Sequence, residues 1–183
     1  MAHDTTLPDA HGHDDHHESP VVFGFWVYLM TDCVIFGTLF AVFAVLRDQF
    51  AGGPTGKELF EIGGLALETA LLLVSSITYG FGMIAAHKQE VNKVIMWLGI
   101  TFLLGAGFVG LELNEFRHLI ADGAGPDRSA FLSAFFTLVS THGLHVSFGL
   151  IWIVTLIVQL SGTTAIPERM MNKLTCLSLF WHF

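Results

Sequence analysis

The chain has 183 residues, of which 52% are hydrophobic and only 13% charged, with a mean hydropathy of +0.62; a soluble domain of this size does not carry so little charge on so much apolar surface. Its net charge of -8 comes largely from an N-terminal stretch in which Asp4, Asp9, Asp14, Asp15 and Glu18 meet no Lys or Arg. That balance argues against a nucleic-acid partner, and the composition points to the bilayer.

Residues 1–20 are polar, contain Pro8 and Pro20 and hold five of the ten histidines, so they read as a disordered acidic tail. The stretch lacks the basic start and short apolar core of a secretory signal. His11, His13, His16 and His17 form a run of the kind that chelates a transition metal loosely, and equally one that is simply solvated. A transmembrane domain follows over 21–183. The first span is predicted at about 21–46, ending in Arg47-Asp48 before the turn-forming Ala51-Gly52-Gly53-Pro54-Thr55-Gly56. A second covers about 62–86, and the short charged link from His87 to Lys93 implies an antiparallel neighbour at about 94–118. After the loop from Ala121 to Arg128, Ser129 is a candidate N-cap for a fourth span over 130–160. Each of these meets or exceeds the ~20 helical residues needed to cross ~30 Å of hydrocarbon. A fifth, 171–183, covers about half that length and is expected to continue for roughly 10 to 20 residues in the intact protein. The fold expected is an all-α polytopic transmembrane helix bundle of five spans, the last truncated in this chain.

Orientation is not set by charge, because Lys88, Lys93, Arg169 and Lys173 fall on one side and Arg47, Lys57, Arg117 and Arg128 on the other. The pairs Gly37/Ala41, Ser76/Gly80, Ala106/Gly110 and Gly143/Ser147 have the spacing that permits close helix approach in lipid. Cys33 and Cys176 lie within apolar segments and suggest neither a disulfide nor a metal site.

Ionisable residues at depth are the chemically informative ones. Asp32 lies 11 residues into the first span, about 16 Å along its axis. A carboxylate there costs several kcal/mol unless it is paired, protonated or facing protein. Two readings stay open: an acid bonded to a neighbouring helix, or a proton-handling or partner-facing group. His142 and His145 project from one side of the fourth span, and Glu68 and Glu112 fall on the same leaflet half as His142, so a polar cluster between helices is possible. Glu112, Glu115 and His118 form an i, i+3, i+6 ladder, and Glu115 to His118 matches the Glu-x-x-His half of a di-iron carboxylate site. No second copy exists, and an interfacial network in which Arg117 pairs with a carboxylate is the alternative. Bis-histidine haem ligation by His142 or His145 needs a second helix, and the other deep histidine, His182, lies in the last segment. There is no GxxxxGK[ST], GxSxG or HExxH. These residues give a membrane protein with no metal site and no complete active site of its own, hence a subunit of a larger assembly. An independent membrane di-iron or haem enzyme is the competing reading, and a small transporter, for which no internal repeat speaks, is another.

The segment from Phe23 to Cys33, the loop from Ala51 to Lys57, Ser75-Ser76-Ile77-Thr78-Tyr79-Gly80, Thr141-His142-Gly143-Leu144-His145-Val146 and the closing Leu179-Phe180-Trp181-His182-Phe183 together resemble subunit III of haem-copper respiratory oxidases. The five-span layout, the His-rich tail and the Gly-Gly-Pro-Thr-Gly-Lys loop look most like the subunit of bacterial cytochrome bo-type ubiquinol oxidases. The resemblance implies a bacterial inner-membrane location with a cytoplasmic N-terminus. It implies no catalytic residue or cofactor in this chain, haems and copper in an adjoining subunit I, contacts with other oxidase subunits and phospholipids, and support of stability and proton uptake. It places Asp32 where the family carries an intramembrane carboxylate, often Glu. Glu68, Glu112, Glu115, His118, His142 and His145 remain candidates for a polar cluster or for lipid contact.

Overall fold

The computed structural model describes residues 20–49 and 62–183; the acidic tail and the Gly-Gly-Pro turn lie outside the described residues. Five helices follow one another: α1 (Pro20–Leu46), α2 (Ile62–His87), α3 (Val91–Ala121), α4 (Ala130–Ser161) and α5 (Glu168–His182). The first four run for 27, 26, 31 and 32 residues and are apolar enough to cross a membrane, whereas α5 has 15. At ~1.5 Å per residue the long helices reach about 39 to 48 Å, so their ends project beyond the ~30 Å hydrocarbon layer.

In lipid, hydrogen-bonding groups must find partners within the protein. The hydroxyls of Thr31, Thr38, Thr69, Thr137, Thr141 and Thr155 each donate to a carbonyl one turn back on their own helix, which makes outward-facing threonines tolerable. The helix ends are closed locally. Ser129 caps α4 as its sequence position implies, its side chain accepting from the Leu132 amide at 3.2 Å. At the end of α3, Gly123 takes φ 73° and its amide and that of Ala124 return to Ile120 and Leu119, a Schellman closure.

The α2–α3 link is tighter than the charge run suggested: α3 begins at Val91, three residues before the expected Val94. The reversal is made by Gln89, a non-glycine residue at φ 59°, with the Gln89 amide donating to Ala86 and that of Glu90 to Ala85. Gln89 Oε1 then accepts from the Ile166 amide at 2.9 Å, tying this turn to the approach of α5.

The α2–α3 hairpin packs on α4 through α3, and α5 lies against α1, α2 and α4. The densest region runs through Leu98, Ile153, Leu156, Leu160, Leu174 and Leu177, all essentially inaccessible. By contrast α1 buries only Leu29 and presents Phe23, Val34 and Val45 outward.

Close approach follows only one of the small-residue pairs. Nothing lies within 4 Å of a Cβ placed on Gly37, Gly80 or Gly110, whereas one on Gly143 would meet the Glu112 carboxyl at 2.5 Å. Gly105 on α3 and Gly149 on α4, outside those pairs, are crowded as well, an added Cβ meeting the Trp181 ring at 2.8 Å in each case. Trp181 Nε1 also donates to Ser75 Oγ on α2 at 3.2 Å, so one indole touches three helices from α5. Nearby, the Tyr79 hydroxyl donates to the Leu174 carbonyl at 2.9 Å, and the Thr78 and Thr101 hydroxyls meet at 2.8 Å between α2 and α3.

Gly105→Ala and Gly149→Ala should therefore each lower stability by about 1–3 kcal/mol through overpacking, while Gly110→Ala should be neutral or stabilising. Trp181→Phe should cost about 1–3 kcal/mol, because it removes the hydrogen bond to Ser75 and also leaves a cavity where the larger ring met Gly105 and Gly149. Unfolding in detergent, read by tryptophan fluorescence or by proteolysis, ranks the four.

Candidate functional site

Asp32 and His145 face each other where α1 crosses α4. The carboxylate Oδ2 lies 3.9 Å from His145 Nδ1, and both side chains are largely buried, at 13% and 14% exposure. His145 is fixed from two further directions: its ring stacks on Phe180 with centroids 3.9 Å apart and planes at 11°, and Nε2 lies 3.2 Å from the Phe180 carbonyl. A carbonyl only accepts, so Nε2 carries a proton. In a neutral ring Nδ1 would then turn a lone pair toward the carboxylate. A favourable contact therefore needs one more proton on the pair, either making the imidazole cationic or the acid neutral. At 3.9 Å the contact is longer than a hydrogen bond, and Asp32 Oδ2 has no hydrogen-bond partner. A groove along the α1–α4 seam, lined by Tyr28, Asp32, Leu144 and His145, reaches this pair from the outer surface.

The sequence placed Glu68, Glu112 and His142 on the same leaflet half; the structure gathers a different set. Glu68 from α2, Glu115 from α3 and Glu112, one turn further into α3, lie close enough to be electrostatic neighbours. Glu112 is buried, with Oε2 lacking a hydrogen-bond partner. It rests against α4 at Gly143, where a Cβ would lie 2.5 Å from Oε1. His142 instead sets its ring edge-on between Phe36 and Phe108, with centroids 6.4 and 5.6 Å away. His118 is exposed at the end of the ladder. Arg117 is exposed as well and is absent from the ion pairs of the described residues, which are Arg47–Asp48, Glu90–Lys93 and Asp32–His145. The alternative of an Arg117 network with a carboxylate is thus not seen among the described residues.

Among the described residues no three His, Cys, Asp or Glu side chains stand where they could hold a metal ion. His145 and His182 are directed at protein oxygens: His182 Nδ1 lies 2.7 Å from the Ser178 carbonyl and Nε2 3.2 Å from that of Ser76. A cavity of about 660 Å³ lies among α1, α2, α4 and α5, mostly apolar, with Ser75, His142 and His182 on its wall. Cys33 also lines it, whereas Cys176 is buried and both thiols are free. Sequence reasoning passed over Trp181, Gly105 and Gly149 as joining elements. The signal available was the indole N–H within an apolar segment, which in a membrane helix needs a hydrogen-bond acceptor.

No family model matches the chain. Curated relatives do. It is 58% identical to the cytochrome bo(3) ubiquinol oxidase subunit 3 of Pseudomonas aeruginosa, over 97% of this chain and 87% of that protein. It is 44% identical to the quinol oxidase subunit 3 of Bacillus subtilis, over 88% and 79% of the two chains. Identity to the cytochrome c oxidase subunit 3 of Bacillus sp. PS3 is 42%, over 87% and 77%. With four membrane-crossing helices and identity at this level across nearly its whole length, the chain belongs to the subunit III family of haem-copper quinol and cytochrome c oxidases.

Proposed function

We propose that this chain is the non-catalytic third subunit of a proton-pumping terminal oxidase in a bacterial inner membrane, with ubiquinol as electron source and the haems and copper held by an adjoining subunit I. The carrying observation is the 58% identity to a ubiquinol oxidase subunit 3 across 97% of the chain. The arrangement of its polar groups supports a supporting role. His145 and His182 are engaged with backbone carbonyls, His142 is set between phenyl rings, and His145 also faces Asp32, so none of them is turned toward a redox group within the described residues. The broad apolar exposure of α1 suits both a neighbouring subunit and phospholipid acyl chains. Asp32 and His145, reached from the α1–α4 groove, are the groups through which we assign an influence on proton uptake by subunit I.

Purified alone in detergent, the full-length protein should contain neither haem nor copper by absorbance and metal analysis; a stoichiometric redox centre would overturn the reading in favour of an independent enzyme. In the assembled oxidase, Asp32→Asn should leave subunit content and initial turnover intact while changing the rate of inactivation during sustained turnover or the amount of bound lipid. His145→Phe should produce the same change. The double variant should be no worse than the worse single one, since members of one pair do not act additively. Unchanged lifetime and lipid content in all three would leave the pair a packing feature only.

A further inference from the structure

His182, in the last turn of α5, has both ring nitrogens on backbone oxygens: Nδ1 lies 2.7 Å from the Ser178 carbonyl of its own helix and Nε2 3.2 Å from the Ser76 carbonyl of α2. Both distances are those of N–H···O hydrogen bonds. A carbonyl has no proton to give, and a neutral imidazole carries a proton on only one nitrogen, so a neutral ring would turn a lone pair on one of these two oxygens. Only the imidazolium, with an N–H on each side, satisfies both. His145 differs, since it meets one carbonyl and one carboxyl group. The ring of His182 is held by its neighbours: Trp181 before it is bonded to Ser75 and packed on Gly105 and Gly149, and the Tyr79 ring stands at 81° to the imidazole with centroids 5.9 Å apart. Ser76 lies close to the middle of the 26 residues of α2, the depth at which an ionised side chain is rare and marks a functional group. The other titratable groups around it among the described residues are Tyr79 of α2, whose hydroxyl donates to the Leu174 carbonyl, and Cys33, His142 and His145, which line the same cavity from α1 and α4.

We propose that His182 is a proton-binding site, held as an imidazolium between the Ser178 carbonyl of α5 and the Ser76 carbonyl of α2, on the wall of the cavity among α1, α2, α4 and α5. The site goes beyond the supporting role assigned above and is separate from the Asp32–His145 pair. Release of the proton breaks one N–H bond, leaves its electron pair on the nitrogen and passes the proton to water entering the cavity, with no change of oxidation state. The longer of the two hydrogen bonds, from Nε2 to Ser76, is the one that opens. The bound proton therefore controls a link between α2 and α5.

The test is solid-state 15N NMR of the assembled complex in lipid bilayers, with this chain carrying ring-[15N]histidine and carbonyl-[13C]serine and its partner subunits unlabelled. At neutral pH one histidine is expected with both ring nitrogens protonated, each in dipolar contact with a serine carbonyl carbon, and His182→Asn should remove that signal. Raising the pH should take the proton and the carbonyl contact from Nε2 first and leave Nδ1 as it was. A ring in contact with two serine carbonyls that shows one protonated and one bare nitrogen at neutral pH would overturn the proposal in the unsubstituted protein, without recourse to a variant. So would the absence of any ring in contact with two serine carbonyls, a His182→Asn protein that keeps the signal, or loss of the Nδ1 contact before that of Nε2.

Discussion

The last turn of α5 is where the bundle becomes one object. Trp181 places its ring against Gly105 and Gly149 and its nitrogen on Ser75, while the residue before it stacks on His145 and the residue after it reaches the Ser76 carbonyl. In lipid there is little hydrophobic gain from bringing helices together, so association depends on close packing and on a few interhelical hydrogen bonds. Phe180, Trp181 and His182 supply both within three consecutive residues. The Asp32–His145 contact depends on this arrangement as well, because the stacked Phe180 ring and its carbonyl fix the imidazole plane that faces the carboxylate.

Two carboxylate oxygens are buried without a hydrogen-bond partner, Asp32 Oδ2 and Glu112 Oε2, and their surroundings differ in kind. Asp32 has a basic ring across a helix seam and an opening to the outer surface. Glu112 has acids among its neighbours and packs against α4 at Gly143. The first arrangement can respond to what occupies the seam, and it lies in a helix whose outward threonines satisfy themselves locally.

Much of this architecture was legible in the residue order. Long apolar runs located the four crossing helices, Ser129 marked a cap by its hydroxyl before an apolar stretch, and counting along each span put Glu68 and Glu112 in the same leaflet half. Rotation of the helices about their axes was not legible, and the partnerships depend on it. Asp32 meets His145 because α1 lies beside α4, a neighbour distant in sequence, and no periodicity in α1 announces that face when nearly all of its residues are apolar. His118 looked like the end of a ladder and Arg117 like a partner for its carboxylates, yet both are exposed. Of the small-residue pairs only Gly143/Ser147 marked a close approach, that of Glu112, because spacing reports where an approach is permitted; Gly105 and Gly149 are crowded by an indole that the spacing does not announce.

Gln89 adopts a backbone conformation that glycine would take more easily, and its side chain shows what the residue adds, since its amide oxygen holds the Ile166 N–H at the entrance to α5. One bond thus couples two turns far apart in sequence, so that loosening the α2–α3 reversal would also release the edge from which the final helix starts.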